Sequence, residues 1–304
     1  MFQKIFILSM LSVLTVFGCS DDDDTNGPTL SNNTLVLSLT GVETLQNGYH
    51  YEGWAIVGGS PIATGKFNVD ANGALEDLSG NAISGGEFVT TTDLTDATAI
   101  IITIEPDGDT DANPADTHYL AGSVSTMSST LTVGHASALG DDFSTAAGDY
   151  ILATPTDTVG TDENSGIWFL SLATGSPAVG LTLPDLPSGW VYEGWAVIDG
   201  TPVSTGTFTD RAAVDSAAPF SGNEAGPPFP GEDFLNNAPT GLTFPTDLAG
   251  GTAVISIEPS PDDASTPFTL KPLVGGIATD ATDHVTYSMD NNSSGFPSGT
   301  AVIK

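Results

Sequence analysis

Two pairs of carboxylates recur along this chain with the same neighbours. Glu52 lies in the segment Tyr-Glu-Gly-Trp and returns as Glu193, and Glu105 lies directly before a proline and returns as Glu258. Paired carboxylates can perform the acid–base chemistry of glycoside hydrolysis. A carboxylate that ends a strand before proline can equally accept backbone N–H groups, and duplication of both sites favours a structural role. We therefore predict that these acids stabilise the fold and that the protein is not an enzyme.

Three aspartates, Asp107, Asp109 and Asp111, have the alternating spacing of calcium ligands. An EF-hand loop is excluded, because its sixth position would be Ala112 rather than glycine and its twelfth would be His118 rather than glutamate. The default prediction is a solvated acidic loop and no cofactor. A looser calcium site at the three aspartates is the alternative.

The sequence gives little support for zinc binding, a serine nucleophile or phosphate binding. The four histidines do not have the spacing of zinc ligands, and none recurs between the duplicated segments: His50, His118, His135 and His284. No Gly-x-Ser-x-Gly motif or phosphate-binding glycine loop is present. The chain has 38 Asp and Glu against 5 Lys and Arg, a net charge of −33. Nucleic acid is therefore not an expected partner, because phosphate contacts need clusters of Lys and Arg.

The one cysteine, Cys19, follows an apolar run over residues 5–17 and a glycine. The run has the length of a secretory signal and is too short to span a bilayer comfortably. A small residue before the cysteine resembles the bacterial lipobox, in which the cysteine is lipidated. The acidic run at 21–24 resembles the signal that sends Bacteroidota-type lipoproteins to the outer face of the outer membrane. We expect lipidation at Cys19 and exposure at the cell surface, with the periplasmic face as the alternative.

An internal duplication organises the rest of the chain. The segment GYHYEGWAIVGGSPIATGKF at 48–67 returns 141 residues later as GWVYEGWAVIDGTPVSTGTF at 189–208. The segment TAIIITIEP at 98–106 returns 153 residues later as GTAVISIEP at 251–259. The offset grows because the second repeat has a longer connecting loop. Two matching blocks in the same order indicate a duplicated domain.

Each repeat shows the two-residue alternation of β-strands. Ile100, Ile102 and Ile104 alternate with Ile101, Thr103 and Glu105, and a glycine-containing turn between alternating segments predicts a hairpin. With 35 glycines, 20 prolines and no sustained helical periodicity, the sequence predicts an all-β protein of two tandem antiparallel β-sandwich (immunoglobulin-like) domains. The predicted segments are a lipoprotein signal peptide at 1–18, an acidic lipidated tether at 19–33, a first repeat at 34–155 and a second repeat at 165–304.

The recurring pattern resembles the extracytoplasmic C-terminal domain of anti-sigma-K factors. It reads Y-x-G-W, then D-G-x-P-V-S-x-G-x-F, then a β-branched strand ending in E-P, and it covers about residues 35–125 and 167–277. The resemblance implies β domains outside the cytoplasm whose motif residues serve the fold. These residues are Tyr51, Glu52, Trp54, Gly65 and Glu105 in the first repeat, and Tyr192, Glu193, Trp195, Gly206 and Glu258 in the second. No transmembrane helix or sigma-binding domain is expected before Cys19, so a direct role in holding a sigma factor is not expected.

The exposure of six aromatic residues distinguishes two possible functions. They are Tyr49, Tyr51, Trp54, Trp190, Tyr192 and Trp195. We expect them in the core of a non-catalytic envelope lipoprotein that binds or senses a ligand and is held to the membrane by its N-terminal lipid. Its partner would be an envelope protein or a glycan whose identity the sequence does not give. If the rings were exposed they could stack on sugars, and the alternative is a surface adhesin or carbohydrate-binding component.

Overall fold

Strands carry nearly all the regular structure in the computed structural model, which describes residues 32–262 and 264–304. The prediction of an all-β fold is therefore confirmed. In chain order the first nine strands are β1 (Thr34–Thr40), β2 (His50–Val57), β3 (Ser60–Val69), β4 (Leu75–Glu76), β5 (Glu87–Val89), β6 (Ala97–Glu105), β7 (His118–Ser123), β8 (Ser128–Thr132) and β9 (Ala147–Leu152). The others are β10 (Gly166–Trp168), β11 (Leu170–Ser171), β12 (Ala178–Val179), β13 (Leu181–Thr182), β14 (Trp190–Ile198), β15 (Thr201–Phe208), β16 (Gly231–Asp233), β17 (Thr252–Pro259), β18 (Leu273–Gly276), β19 (Tyr287–Asn291) and β20 (Ser298–Ile303). Short 3-10 turns span Ser84–Gly86, Glu163–Ser165 and Ser293–Gly295.

Two large antiparallel sheets repeat one strand order. The first sheet runs β4-β3-β2-β6-β7-β8-β20-β1-β5, and the second runs β15-β14-β17-β18-β19-β9-β10-β16, with β13 also paired to β9. Strands β2 and β14 contain the Tyr-Glu-Gly-Trp segments, and β6 and β17 are the strands that lead to Glu-Pro. The duplication seen in the sequence is therefore also a duplication of sheet topology.

Each sheet contains one strand that the predicted boundary assigns to the other repeat. Strand β9 falls in the first predicted repeat but pairs with β10 and β19 of the second sheet. Strand β20 falls in the second predicted repeat but pairs with β1 and β8 of the first sheet. Backbone hydrogen bonds between Thr34 and Lys304, of 3.0 and 2.8 Å, fasten the end of the chain to β1. Alternation can mark such a strand in a sequence, but it does not say which distant strand is its neighbour.

The predicted hairpins form around two-residue loops. Strand β2 turns into β3 through Gly58 and Gly59, and β14 turns into β15 through Asp199 and Gly200. All four loop residues have positive φ, between 50° and 81°. This is the loop geometry whose twist matches that of antiparallel strands. Both hairpins therefore present their side chains in the same register.

Alternation along β2 and β6 divides their side chains between two faces. Tyr51 and Ala55 lie in the main core with Ile100, Ile102 and Ile104. Trp54 packs on the opposite face in a smaller cluster that contains Ile101, Ala121 and Ala138. Since Glu52 and Glu105 alternate with the core residues, the motif acids also belong to this outer face.

One hydrophobic core continues through both repeats. The ring of Tyr119 in β7 lies 6.1 Å from that of Trp190 in β14 and 5.5 Å from that of Phe268. Phe143 and Phe296, which precede β9 and β20, pack against each other at 5.7 Å. The described residues, 32–262 and 264–304, accordingly form one compact unit.

Candidate functional site

The outer face of the first sheet holds a buried chain of hydrogen bonds, which we call the Trp–hydroxyl–Glu relay. Trp54 Nε1 donates to Thr103 Oγ1 at 2.8 Å, and the Thr103 hydroxyl donates to Glu105 Oε1. The same carboxylate oxygen accepts the backbone N–H of Ala115 at 3.0 Å. The relay therefore ties β2 to β6 and fixes the loop that follows β6.

The second repeat contains the same relay. Trp195 Nε1 donates to Ser256 Oγ at 2.8 Å, the Ser256 hydroxyl donates to Glu258 Oε1, and that oxygen accepts the N–H of Phe268 at 2.9 Å. Serine replaces threonine, but the hydroxyl stays in place. Because Oε1 of each glutamate is held by both a hydroxyl and a backbone N–H, the geometry gives Glu105 and Glu258 a structural role.

The tyrosines and glycines of the motif also serve the framework. Tyr51 donates its hydroxyl to the carbonyl of Glu43 at 2.9 Å, and Tyr192 donates to the carbonyl of Pro184 at 2.8 Å. Each tyrosine thereby holds the segment that leads into its strand.

The motif glycines lie where a side chain would collide. Gly65 and Gly206 have φ of 156° and 122°, where L residues are strained. A Cβ at Gly65 would lie 2.7 Å from the ring of Phe88, and one at Gly206 would lie 2.8 Å from the carboxyl carbon of Asp215. Gly65 therefore lets β3 pack against β5, and Gly206 lets β15 pack against the connection that leads to β16.

The aromatic residues that could have formed a sugar-stacking platform are buried. Trp54 and Trp195 are 1% and 2% exposed. The other rings of the predicted set with less than a tenth of their surface exposed are Tyr51, Trp190 and Tyr192, and Tyr49 is half-buried. These rings pack within the protein instead of forming an open surface.

The first repeat neutralises its buried acid with a lysine. Lys66 is the cross-strand partner of Glu52 in the β2–β3 hairpin. Its Nζ lies 3.7 Å from Glu52 Oε2 and 3.1 Å from Asp109 Oδ2, and it donates to the carbonyl of Asp109 at 3.0 Å. An ammonium group is therefore shared by the two carboxylates on the outer face.

The second repeat keeps the acids but not the lysine. The cross-strand partner of Glu193 is Thr207. Asp262 lies three residues after Pro259, just as Asp109 lies three residues after Pro106. Glu193 Oε1 accepts the hydroxyl of Ser204, whereas its Oε2 is buried with no hydrogen-bond partner. One carboxylate oxygen in the second repeat is therefore left without the cation that its equivalent faces in the first.

An open recess of about 580 Å³ lies against this carboxylate, and we call it the Glu193 recess. Glu193 and Asp262 supply its acidic side. Its other walls include Trp195 and Pro202 from the hairpin, with Phe220 and Pro239 from the long connection between β15 and β17. That connection is the part of the second repeat that is longer in the sequence. The recess thus combines carboxylates with an apolar wall.

Burial makes Glu52, Glu193 and Glu258 hard to ionise. It raises the pKa of Glu52 to about 7, although the charge of Lys66 opposes the shift. Burial also raises the pKa of Glu193 to about 7, where the Ser204 hydroxyl lowers it and the charge of Asp262 raises it further. For Glu258, burial raises the pKa to about 8. A nearby positive charge would favour the ionised form of each group.

A second group of buried acids, which the sequence patterns do not reveal, lies at the short strand β16. Trp168 Nε1 donates to Asp233 Oδ1 at 2.7 Å, and Asp233 Oδ2 accepts the backbone N–H of Thr156 at 2.8 Å. The neighbouring Glu232 accepts the hydroxyl of Ser221. The strand has only three residues, and both of its acids are buried, so no two-residue alternation signals it in the sequence.

The aspartates of the predicted calcium alternative have other partners. Asp109 contacts Lys66, and Asp111 Oδ1 accepts the backbone N–H of Asn113 at 2.7 Å. The side chain of Asp107 lies against Gly48. Across residues 32–262 and 264–304, no three His, Cys, Asp or Glu side chains come together as a metal site.

A serine and a histidine meet on the surface, a contact that the sequence does not signal. Ser123 Oγ lies 3.1 Å from His135 Nε2, and the backbone N–H of Ser137 donates to His135 Nδ1 at 3.1 Å. Because Nδ1 accepts a hydrogen bond, the neutral ring carries its proton on Nε2. His135 then donates to Ser123 and cannot remove its proton. The pair does not have the arrangement of an activated nucleophile.

The predicted lipidation site, Cys19, lies outside the described residues. Within the part of the chain that is described, no helix has both the length and the apolar character needed to cross a bilayer. Comparison with known protein families, with curated proteins and with solved structures finds no match.

Proposed function

We propose that this protein is a non-catalytic lipoprotein of the outer membrane, exposed at the cell surface, whose paired β repeats form a binding or sensing module. Lipidation at Cys19 would provide the anchor, and the acidic segment after it would space the repeats from the membrane. The net charge of −33 favours a cationic partner over an anionic one.

The observation that carries the binding role is the difference between two otherwise matching sites. Both repeats contain the relay and a buried glutamate on the outer face. In the first repeat Lys66 meets that glutamate, whereas in the second the Glu193 recess lies beside it. An open cavity that joins apolar walls to a few polar groups is the usual form of a ligand site.

We propose that the protein is not an enzyme because its candidate catalytic side chains are already held by other hydrogen bonds. Glu105 and Glu258 are each held by a hydroxyl and a backbone N–H. His135 has the wrong tautomer to activate Ser123. The resemblance to the extracytoplasmic anti-sigma-K domain supports a sensing role, and no contact with a sigma factor is part of the proposal.

The adhesin or carbohydrate-binding alternative draws less support from the molecule. It needs rings that are free to stack on a sugar, and Trp54 and Trp195 are buried in the relays. Trp195 lines the Glu193 recess, but only 2% of its surface is exposed there for stacking.

Cellular fractionation tests the anchor. We predict that the wild-type protein incorporates labelled fatty acid, sediments with outer membranes and is cleaved when intact cells are treated with protease. The variant Cys19→Ser should lose the label and leave the membrane fraction, because a non-acylated chain lacks the hydrophobic anchor. Ser20→Ala is the matched control and should behave as wild type. Continued sedimentation of Cys19→Ser with membranes would remove lipidation from the proposal.

A further inference from the structure

Lys66 shows which chemical group fits between the carboxylates on the outer face. Its Nζ lies 3.7 Å from Glu52 and 3.1 Å from Asp109, and the side chain is only 29% exposed. The ammonium donates hydrogen bonds to the side chain and carbonyl of Asp109, and its compact charge pairs with Glu52 at the longer distance. The first repeat therefore contains an internal example of an alkylammonium in this site.

The second repeat has the same acids but a different cross-strand residue. Thr207 replaces the lysine, and its hydroxyl lies 2.8 Å from Ser216. Glu193 is 6% exposed, lines the recess, and has one carboxylate oxygen without a hydrogen-bond partner. Such a buried, unsatisfied oxygen is costly unless a donor reaches it.

The other cation of this region acts elsewhere. Lys271 Nζ donates to the carbonyl of Phe268 at 2.7 Å, and its charge acts on Glu43 and Glu258. The acids Asp262 and Asp215 both disfavour the charge on Glu193, so the surroundings of this carboxylate are anionic.

We propose that the Glu193 recess binds a primary alkylammonium group, such as the side chain of a lysine, between Glu193 and Asp262. The alkyl stem would lie along Pro202 and Phe220, as lysine stems commonly cover apolar surface. This inference rests on the proposed binding role of the second repeat, and it adds the chemical class of the ligand.

Titration of the full chain carrying Cys19→Ser, at pH 8 where Glu193 is ionised, tests the inference. Two probes are used, namely Nα-acetyl-lysine methylamide for a protein-borne lysine and n-butylamine for a free amine. We expect heat of binding and NMR shifts at the amides of Glu193 and Ser204, and none at Glu52. Nα-acetyl-norleucine methylamide, which has a similar stem and no charge, should bind at least tenfold more weakly. Response to the lysine probe alone would assign a protein partner, and response to butylamine as well would assign the ammonium head group.

Two variants separate this site from a nonspecific effect of the negative charge. Glu193→Gln should weaken binding of the ammonium probes about tenfold or more, whereas Glu52→Gln should leave their affinity unchanged. Thr207→Lys should block the probes, because it supplies the second repeat with the lysine of the first. If Thr207→Lys fails to fold, Glu193→Gln still decides the matter.

The inference is wrong if neither ammonium probe shifts the Glu193 amide, or if both glutamine variants weaken binding equally. Neither outcome would change the localisation of the lipoprotein. Conversely, if Cys19 proved not to be lipidated, the proposed location would be wrong, but amine binding by the purified chain would be unaffected.

Discussion

Three buried glutamates, Glu193, Glu232 and Glu258, connect single residues to the pH dependence of stability. Burial raises their pKa values to about 7, about 7 and about 8, from an ordinary 4.5. Between pH 4.5 and these values, the folded protein binds protons that the unfolded chain has released. The free energy of unfolding must therefore fall as the pH rises through this window.

We predict that the protein is most stable near pH 5 and loses stability steadily up to pH 8. Each group should contribute a slope on the order of 1.4 kcal/mol per pH unit, since a glutamate must ionise in a buried position. Urea unfolding at pH 5, 6, 7 and 8 measures the slope. Glu258→Gln cannot ionise and should flatten it, whereas the exposed Glu224→Gln should not. A free energy of unfolding that rises with pH over this range would contradict the assignment.

At the scale of elements, the bulge in each Tyr-Glu-Gly-Trp strand offers a matched comparison. The register shifts between Gly53 and Trp54 in β2 and between Gly194 and Trp195 in β14. A Cβ at Gly53 would lie 2.5 Å from the Thr64 hydroxyl, with its next neighbours beyond 3.6 Å. The same atom at Gly194 would meet a hydroxyl at 2.4 Å and also the buried ring of Phe169 at 2.5 Å.

We predict that Gly194→Ala destabilises the protein by about 2 kcal/mol more than Gly53→Ala, because a packed ring cannot yield as a hydroxyl can. Urea unfolding of the two variants at one pH measures the difference. The shared bulge makes Gly53→Ala the control for any effect on the strand backbone itself. Equal losses in the two variants would show that the Phe169 contact does not limit the site.

The elements were largely predictable from the sequence, whereas the candidate site was only partly so. The Gly58-Gly59 turn predicted the β2–β3 hairpin, and the alternation from Ile100 to Ile104 predicted strand β6. Both signals are local in the sequence. The exchange of Lys66 for Thr207 can also be read by aligning the repeats. The Glu193 recess could not be predicted, because Asp262 and Phe220 reach it through loops whose paths no periodicity describes.

At the scale of the whole molecule, the sheets are closed by strands that are distant in the chain. Strand β20 lies between β1 and β8 and contributes the buried residues Ala301 and Ile303 to the core. Strand β9 takes the corresponding place in the second sheet. Neither predicted repeat on its own contains all the strands of one sheet. The two halves should therefore depend on each other for stability.

We predict that deletion of residues 298–304 lowers the free energy of unfolding by about 5 kcal/mol or more. The loss combines two buried side chains with the hydrogen bonds of two strand pairs. It should lower the melting temperature by about 10 °C or more. Calorimetry measures the change, and the half-exposed Val302→Thr should stay within about 0.5 kcal/mol of wild type.

Because one core continues through both repeats, hydrogen exchange should rise in β14 and β17 as well as in β2 and β6. Full protection of the second sheet in the truncated chain would mean that the repeats fold independently, despite the core that they share.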